Sequence, residues 1–479
     1  MLLAPGLALA LPILGLIPQI QRGGGGWARP TTDEGSVLIV LADDLGIDAL
    51  AMYGLDPLVR PDLTPNLELL ASYGLRFENA WAAPKCSPAR AALLTGRAAF
   101  RTGIGNVIES SAFSLPEEEL TLPEMLAEFA PLPYATGFFG KWHLERLGSG
   151  RLCASTAVHG FQHFEGTLFY VPTAPEYCAW NERLCDGATG RSQPCSQYMP
   201  ARVFDMAAAW IDSRQGPWFC TLAPQLPYDM LHNPPVELQS IRTGPQCAEC
   251  PTGTRACYDA AIQALDTKLG ELLARLGPDW FERLTVIFAA DNGTPNSVNR
   301  YWPSGHVKTT FFEGGIRVPL VVAGRAVAPG RRGKVASALV SITDVYRTVA
   351  GLAGVVELPP DVAQDSFDLG PLLQDPPRPT GRSTLLAEKF VRNQAAPPYV
   401  DHRAAIRDQR FKLIYDWSDR RALYLFDLAE DPRELVDLLE PEPPAPGTPA
   451  GDALVALEKR LFALLGLVTA VRAPCAEAR

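Results

Sequence analysis

The chain has 479 residues, with 53 acidic against 43 basic side chains, a formal net charge of −10 and 47% apolar residues. That composition supplies a packed core and excludes wholesale disorder. The acidic balance speaks against a nucleic-acid or anionic-membrane binder, since both need a cationic face, and 44 prolines exclude long coiled coils.

Residues 1–20 carry no charged side chain, and Gln21-Arg22 followed by four glycines ends the run. Residues 1–26 therefore read as a signal peptide or an N-terminal anchor, with Pro5, Pro12 and Pro18 weakening an unbroken spanning helix. The expected compartment is the secretory pathway, the cell exterior, a lysosome-like organelle or a periplasm. Ser36 to Ala42 (SVLIVLA) reads as a buried parallel strand and ends in Asp43-Asp44. Thr64 to Tyr73 and Thr121 to Phe129 open with helix-starting Thr residues, and Ala256 to Leu276 repeats leucines at helical spacing. A second apolar run, Leu284 to Ala290, ends in Asp291-Asn292. Leu358 to Pro379 reads as a linker or wrapping loop. Ala404 to Tyr415 and Arg421 to Asp427 read as hairpin-like strands, and Gly451 to Leu467 as a closing amphipathic helix. Strands alternating with helices indicate an α/β domain with a mixed, mostly parallel sheet flanked by helices. Ligands bind such sheets beyond the carboxyl ends of the strands, where both acidic pairs fall.

Cys153, Cys178, Cys185 and Cys195 cluster in one loop-like region, and Cys247, Cys250 and Cys257 in another. Cys247-x-x-Cys250 lacks a second such pair or paired histidines, so disulfides of open connectivity are expected ahead of zinc. Each acidic pair alone is ordinary as a helix cap and turn acid. Together they offer three carboxylates and one amide oxygen, a hard set suited to Ca²⁺ or Mg²⁺ and not to zinc or copper. The only N-x-S/T sequon is Asn292-Gly293-Thr294, and it lies inside this set.

A lone cysteine before an apolar helix is usually a small buried hydrophobe. The string Cys86-Ser87-Pro88-Ala89-Arg90 followed by Leu93-Leu94-Thr95-Gly96-Arg97, however, resembles the C-x-P-x-R…L-T-G signature of the sulfatase family, with Ala89 where many relatives carry Ser. Gly140-Lys141-Trp142-His143-Leu144, His159-Gly160-Phe161 with Phe164 and Gly166, Asp291-Asn292-Gly293, and Lys308 followed by Glu313-Gly314-Gly315-Ile316-Arg317-Val318-Pro319 keep the family's order. Lys412-Leu413-Ile414-Tyr415 and Leu425-Phe426-Asp427 resemble its small C-terminal domain. The resemblance spans roughly residues 36–440. It implies an alkaline phosphatase-like catalytic domain over 27–375 and a smaller C-terminal α+β domain over 376–479.

By the same resemblance, Cys86 is oxidised by a maturation enzyme to formylglycine, whose hydrate attacks sulfur. Arg90 orients that residue. Asp43, Asp44, Asp291 and Asn292 hold the cation, which also touches modified Cys86. Lys141 and Lys308 clamp the sulfate, and His143 takes or relays the hydrate proton. Tyr228 stands where relatives carry the histidine that serves the leaving group, and His232 follows four residues later. Either could face the substrate, a sulfated small molecule or glycan. The alternatives are a phosphonate or phosphate ester hydrolase of the same superfamily, or a catalytically silent binding protein. Loops around Gly148 to Pro200 and Arg242 to Cys257 are expected to shape substrate choice.

Overall fold

Ten strands form the main sheet of the computed structural model: β1 (Val37–Ala42), β2 (Gly74–Trp81), β3 (Ala135–Lys141), β4 (His163–Thr167), β5 (Trp180–Asp186), β6 (Thr189–Cys195), β7 (Trp218–Ala223), β8 (Thr285–Ala290), β9 (Leu320–Gly324) and β10 (Lys334–Ser341). The structure describes residues 35–109, 113–170, 173–241, 244–250 and 254–471, so the signal-or-anchor segment 1–26 lies outside the described residues. Their order across the sheet is β10-β2-β9-β8-β1-β7-β3-β4-β5-β6. The run β8-β1-β7-β3-β4 is parallel, β9 inserts antiparallel between β8 and β2, and β5–β6 form an antiparallel edge hairpin.

β1, β7 and β8 are buried along their whole length, because helices cover both faces of the sheet's centre and no position needs a polar side chain. Their register sets where the strand ends meet. Ala42 lies opposite Ala290, so Asp43 and Asp291 leave the sheet side by side. The segment after β7 continues this pairing beyond the strand: Asp43 N–H donates to the Leu226 carbonyl at 2.8 Å, and Tyr228 N–H donates to the Asp43 carbonyl at 3.0 Å.

Four antiparallel strands, β11 (Leu385–Lys389), β12 (Arg403–Arg407), β13 (Phe411–Asp416) and β14 (Arg421–Asp427), make the C-terminal sheet in that order. The Pro449–Val471 helix comes after them and packs on β12 and β13. Leu358 to Pro379 is irregular apart from one turn of helix, Gly370–Leu373. Among the described residues no helix is long and apolar enough to cross a membrane.

The two sheets are joined by a buried ion cluster. Lys412 on β13 donates to Glu313 Oε1 at 3.0 Å and pairs with Glu434 Oε1 at 2.7 Å, while Trp81 Nε1 donates to Glu313 Oε1 at 3.1 Å. Burial pulls the Glu313 carboxyl upward, but Lys412 and Arg407 hold it down at about 2. Burial and the charge of Glu313 push Glu434 up to about 7. The Glu of the E-G-G-x-R-x-P string is thus a structural anchor for the second sheet.

Cys153–Cys185, Cys178–Cys247 and Cys250–Cys257 are disulfides, so the Cys247-x-x-Cys250 pair is divided between two bridges. Among the described residues Cys86, Cys195 and Cys220 are free thiols.

Replacing Lys412 by Met keeps the volume but takes the paired cation from Glu434 and leaves Glu313 to Arg407 and Arg317. Loss of one partner of a buried pair costs about 3–5 kcal/mol, which chemical unfolding of Lys412→Met against the parent will measure. A loss below about 1 kcal/mol, the range of exposed pairs, removes the anchor role.

Candidate active site

The site stands on the strand ends. Asp43, Asp44, Asp291 and Asn292 are all buried. Asp44 takes a left-handed backbone with φ of 64°, a conformation Asp tolerates better than bulky residues, and this turns its side chain back toward β8. Its N–H donates to Asp291 Oδ1 at 3.2 Å. Asn292 Nδ2 donates to Asp44 Oδ1 at 2.6 Å, which occupies the sequon amide. Gly293 is required here by space: a Cβ would lie 2.0 Å from the Gly314 carbonyl, because the Glu313–Ile316 turn packs directly on it.

The Cys86–Thr95 helix runs into this corner with every residue buried, and Gly96 ends it in the left-handed conformation. Cys86 sits at its first position. Its Sγ lies 3.6 Å from Asp43 Oδ1 and 3.4 Å from Asn292 Oδ1. One helical turn on, Arg90 donates from Nε and Nη2 to Asp291 Oδ2 at 3.2 and 3.0 Å, from Nη2 to Asp43 Oδ2 at 3.2 Å, and from Nη1 to the Lys141 carbonyl at 2.6 Å.

Two lysines close the ring. Lys141, at the end of β3, donates to Asp43 Oδ2 at 2.6 Å, and Lys308 donates to Asp44 Oδ2 at 2.6 Å. Gly140 lets β3 come this close: at φ of 107°, a Cβ would lie 2.0 Å from the Ala223 carbonyl. The Tyr228 ring covers both ammoniums, with centroid distances of 4.6 Å to Lys141 and 5.3 Å to Lys308. Tyr170 lies beside Tyr228 at 5.9 Å and beside His143 at 5.8 Å. His143 is buried, with the Ile108 backbone beside its ring and no side-chain hydrogen-bond partner among the described residues.

These surroundings set the protonation states. Burial and the Asp291 charge push the Cys86 thiol well up. Burial, reinforced by Lys141 and Arg90, drives His143 well below the usual histidine range, leaving a neutral imidazole able to accept a proton. Burial and the nearby Asp43 and Asp44 push the Tyr228 hydroxyl far up, so it too keeps its proton.

The chemistry of the donor set bears on the divalent cation expected from the sequence. Ligand atoms of Asp43, Asp44, Cys86 and Asp291 all lie within 4.8 Å of one another. Burial and the negative charge of Asp43 push Asp291 up to about 7, the response of carboxylates crowded together without a cation between them. Oxygen-rich, buried and internally repulsive, the set fits a hard dication.

The structure therefore brings Asp43, Asp44, Cys86, Arg90, Lys141, His143, Tyr228, Asp291, Asn292 and Lys308 together. It does not bring in His232. That ring bonds Tyr198 Oη through Nε2 at 2.7 Å and the Met230 carbonyl through Nδ1 at 3.2 Å, and stacks on Tyr177 at 3.6 Å. None of the pocket's charged groups acts on it. The reason is that Leu226-Pro227-Tyr228 stays clipped to Asp43, so the loop is not shifted by the four residues His232 would need. Two residues at the pocket carry no sequence signal: Tyr170, and Asp229, whose N–H donates to Asp44 Oδ2 at 3.1 Å.

The chain is similar to known proteins in sequence and in fold. A family model described as Sulfatase matches residues 36–355, and one described as N-sulphoglucosamine sulphohydrolase, C-terminal, matches residues 305–445. Arylsulfatase A of Homo sapiens is 32% identical over 454 residues, covering 86% of this chain and 84% of that protein. N-acetylgalactosamine-6-sulfatase of Canis lupus familiaris is 30% identical over 372 residues, covering 71% and 66%. In fold, the chain is similar to the PsFucS1 sulfatase from Pseudoalteromonas sp., with a TM-score of 0.68, 20% identity and 90% of each chain covered. With its family model spanning most of the chain and relatives matching nearly end to end, the chain belongs to the sulfatase family.

Proposed function

We propose that the chain hydrolyses a sulfate ester with residue 86 in its formylglycine form, beside a divalent cation, Ca²⁺ first and Mg²⁺ second, held by Asp43, Asp44, Asp291 and Asn292. One observation carries the reading. Cys86 Sγ lies 3.6 Å from Asp43 Oδ1 and 3.4 Å from Asn292 Oδ1, at the point where the side chains of Arg90, Lys141 and Lys308 converge on Asp43, Asp44 and Asp291, so a nucleophile formed at residue 86 would stand between the cation ligands and the sulfate-binding lysines.

The work divides among the chain's own groups. Lys141 and Lys308 bind the sulfuryl oxygens and neutralise the charge that builds on them. Arg90 balances Asp43 and Asp291 and fixes the helix that carries residue 86. His143, neutral and without a side-chain partner among the described residues, accepts the proton of the attacking hydroxyl. Tyr228 offers its hydroxyl proton to the departing alcohol oxygen. The Tyr170 and Tyr228 rings limit water at the lysines. The cation, when bound, supplies Lewis-acid polarisation of the oxygens around residue 86.

The substrate is a sulfated small molecule or glycan, and a maturation enzyme must act on Cys86 before folding buries it. Three disulfides favour an oxidising compartment, such as the secretory pathway or a periplasm.

Peptide mass spectrometry of protein produced with the maturation enzyme will show a loss of about 18 Da at Cys86, the change from thiol to an aldehyde-based nucleophile; an intact thiol there refutes the mechanism. Chelation will abolish turnover of an aryl sulfate and lower the melting temperature. Ca²⁺ at about 100 times its Kd will restore both, with a stability gain of about 2.7 kcal/mol; turnover that survives chelation refutes the cation role. Tyr228→Phe will lower kcat/KM about 100-fold or more for alkyl sulfates, whose alkoxides need a proton, and far less for nitrophenyl sulfates. An equal loss on both removes Tyr228 from leaving-group chemistry.

A further inference from the structure

Three side chains mark the way out of the pocket, and their exposure orders them. The side chain of Asp44 is fully buried, that of Lys308 is 13% exposed and that of Asp229 is 45% exposed. Each touches the next: Lys308 Nζ lies 2.6 Å from Asp44 Oδ2 and 3.5 Å from Asp229 Oδ2. Asp229 is also held in place. Its N–H donates to Asp44 Oδ2 at 3.1 Å, and Ser297 Oγ donates to its Oδ1 at 3.4 Å. A positioned carboxylate thus stands beside the outermost sulfate-binding cation, on the solvent side, next in sequence to the tyrosine that covers both lysines.

Resting on the sulfate-ester reading above, we infer that Asp229 is a specificity-determining residue that selects sulfate esters whose alcohol carries no second negative charge near the ester. The sign of the charges decides. Arg90, Lys141, Lys308 and the proposed dication all lie deeper, against Asp43, Asp44, Asp291 and the bound sulfate group, so the charge nearest the alcohol portion decides. The carboxylate next to Lys308 on its exposed side is Asp229, while Lys389 is held by the Thr309 carbonyl at 3.1 Å. A neutral hydroxyl of the alcohol can donate a hydrogen bond to it, whereas a carboxylate or second sulfate meets a like charge. At about 6 Å and an effective dielectric near 40, that repulsion changes affinity about tenfold. It weakens with salt, because the side chain is partly exposed.

The test uses phenyl sulfate bearing carboxylates at both ortho positions, so that one faces Asp229 whichever way the ring turns, and its uncharged bis-carboxamide analogue of nearly equal size. Binding is measured on full-length Cys86→Ala protein and turnover on matured protein, each with Asp229 intact, Asp229→Asn or Asp229→Glu. The expected result is a preference for the bis-carboxamide that falls about tenfold in Asp229→Asn, persists in Asp229→Glu, and shrinks between about 0.05 and about 0.5 M salt. A preference that Asp229→Asn leaves unchanged overturns the proposal. If matured protein binds the bis-carboxamide ester without cleaving it, the hydrolase reading falls, and the binding ratios still decide for or against Asp229.

Discussion

The guanidinium of Arg90 is the point on which the site depends. It is buried with the two carboxylates it binds, and buried charge is tolerated only where partners surround it. Its hydrogen bonds reach Asp43 at the end of β1, Asp291 at the end of β8 and the carbonyl of Lys141 at the end of β3, while its own helix presents Cys86 one turn earlier. Four elements are therefore referenced to one planar group. Moving any of them would leave a charged atom unpaired in a dry corner, so the position of residue 86 relative to both acidic pairs is fixed by electrostatics as much as by packing.

This constraint explains why the family strings have the residues they do. Gly293 and Gly140 each stand where another backbone presses within 2.0 Å of a would-be Cβ. Glu313 touches no reacting group and anchors the C-terminal sheet through Lys412. Only part of each string touches the chemistry, and the rest brings the strand ends close enough for Arg90 to span them.

The same physics governs how much of the fold and site was legible in the sequence. β1 and β8 were legible because strands buried on both faces are apolar throughout, and the acidic pairs interrupt them abruptly. The β5–β6 hairpin was not. It lies at the sheet edge, and Asn181, Glu182 and Arg183 give it the composition of a loop, with Glu182 buried against Arg202 and Gln193, each donating to it at 2.8 Å. Disulfide partners were closed to inspection as well: Cys178 and Cys247 are 69 residues apart and meet only once the loops fold over the sheet. The choice between Tyr228 and His232 hung on two backbone hydrogen bonds to Asp43, which no side-chain pattern encodes. Asp229 carried no signal, since an exposed acid in a loop is the commonest kind.

The net charge of −10 is a poor guide to this pocket, where formal charges balance: Asp43, Asp44 and Asp291 against Arg90, Lys141 and Lys308. A dication among the carboxylates would leave an excess of two positive charges. A sulfate monoester brings one negative charge, and the sulfate released from it brings two. With the proposed cation bound, the site's field would match the product side of the proposed reaction better than the substrate side. The same match would hold sulfate tightly, so its departure needs a route outward past Lys308. Asp229, 45% exposed and 3.5 Å from Lys308, would on the proposed reading compete with the outgoing anion for the Lys308 ammonium. A carboxylate that discourages a second negative charge on the way in would by the same field help discharge the sulfate on the way out.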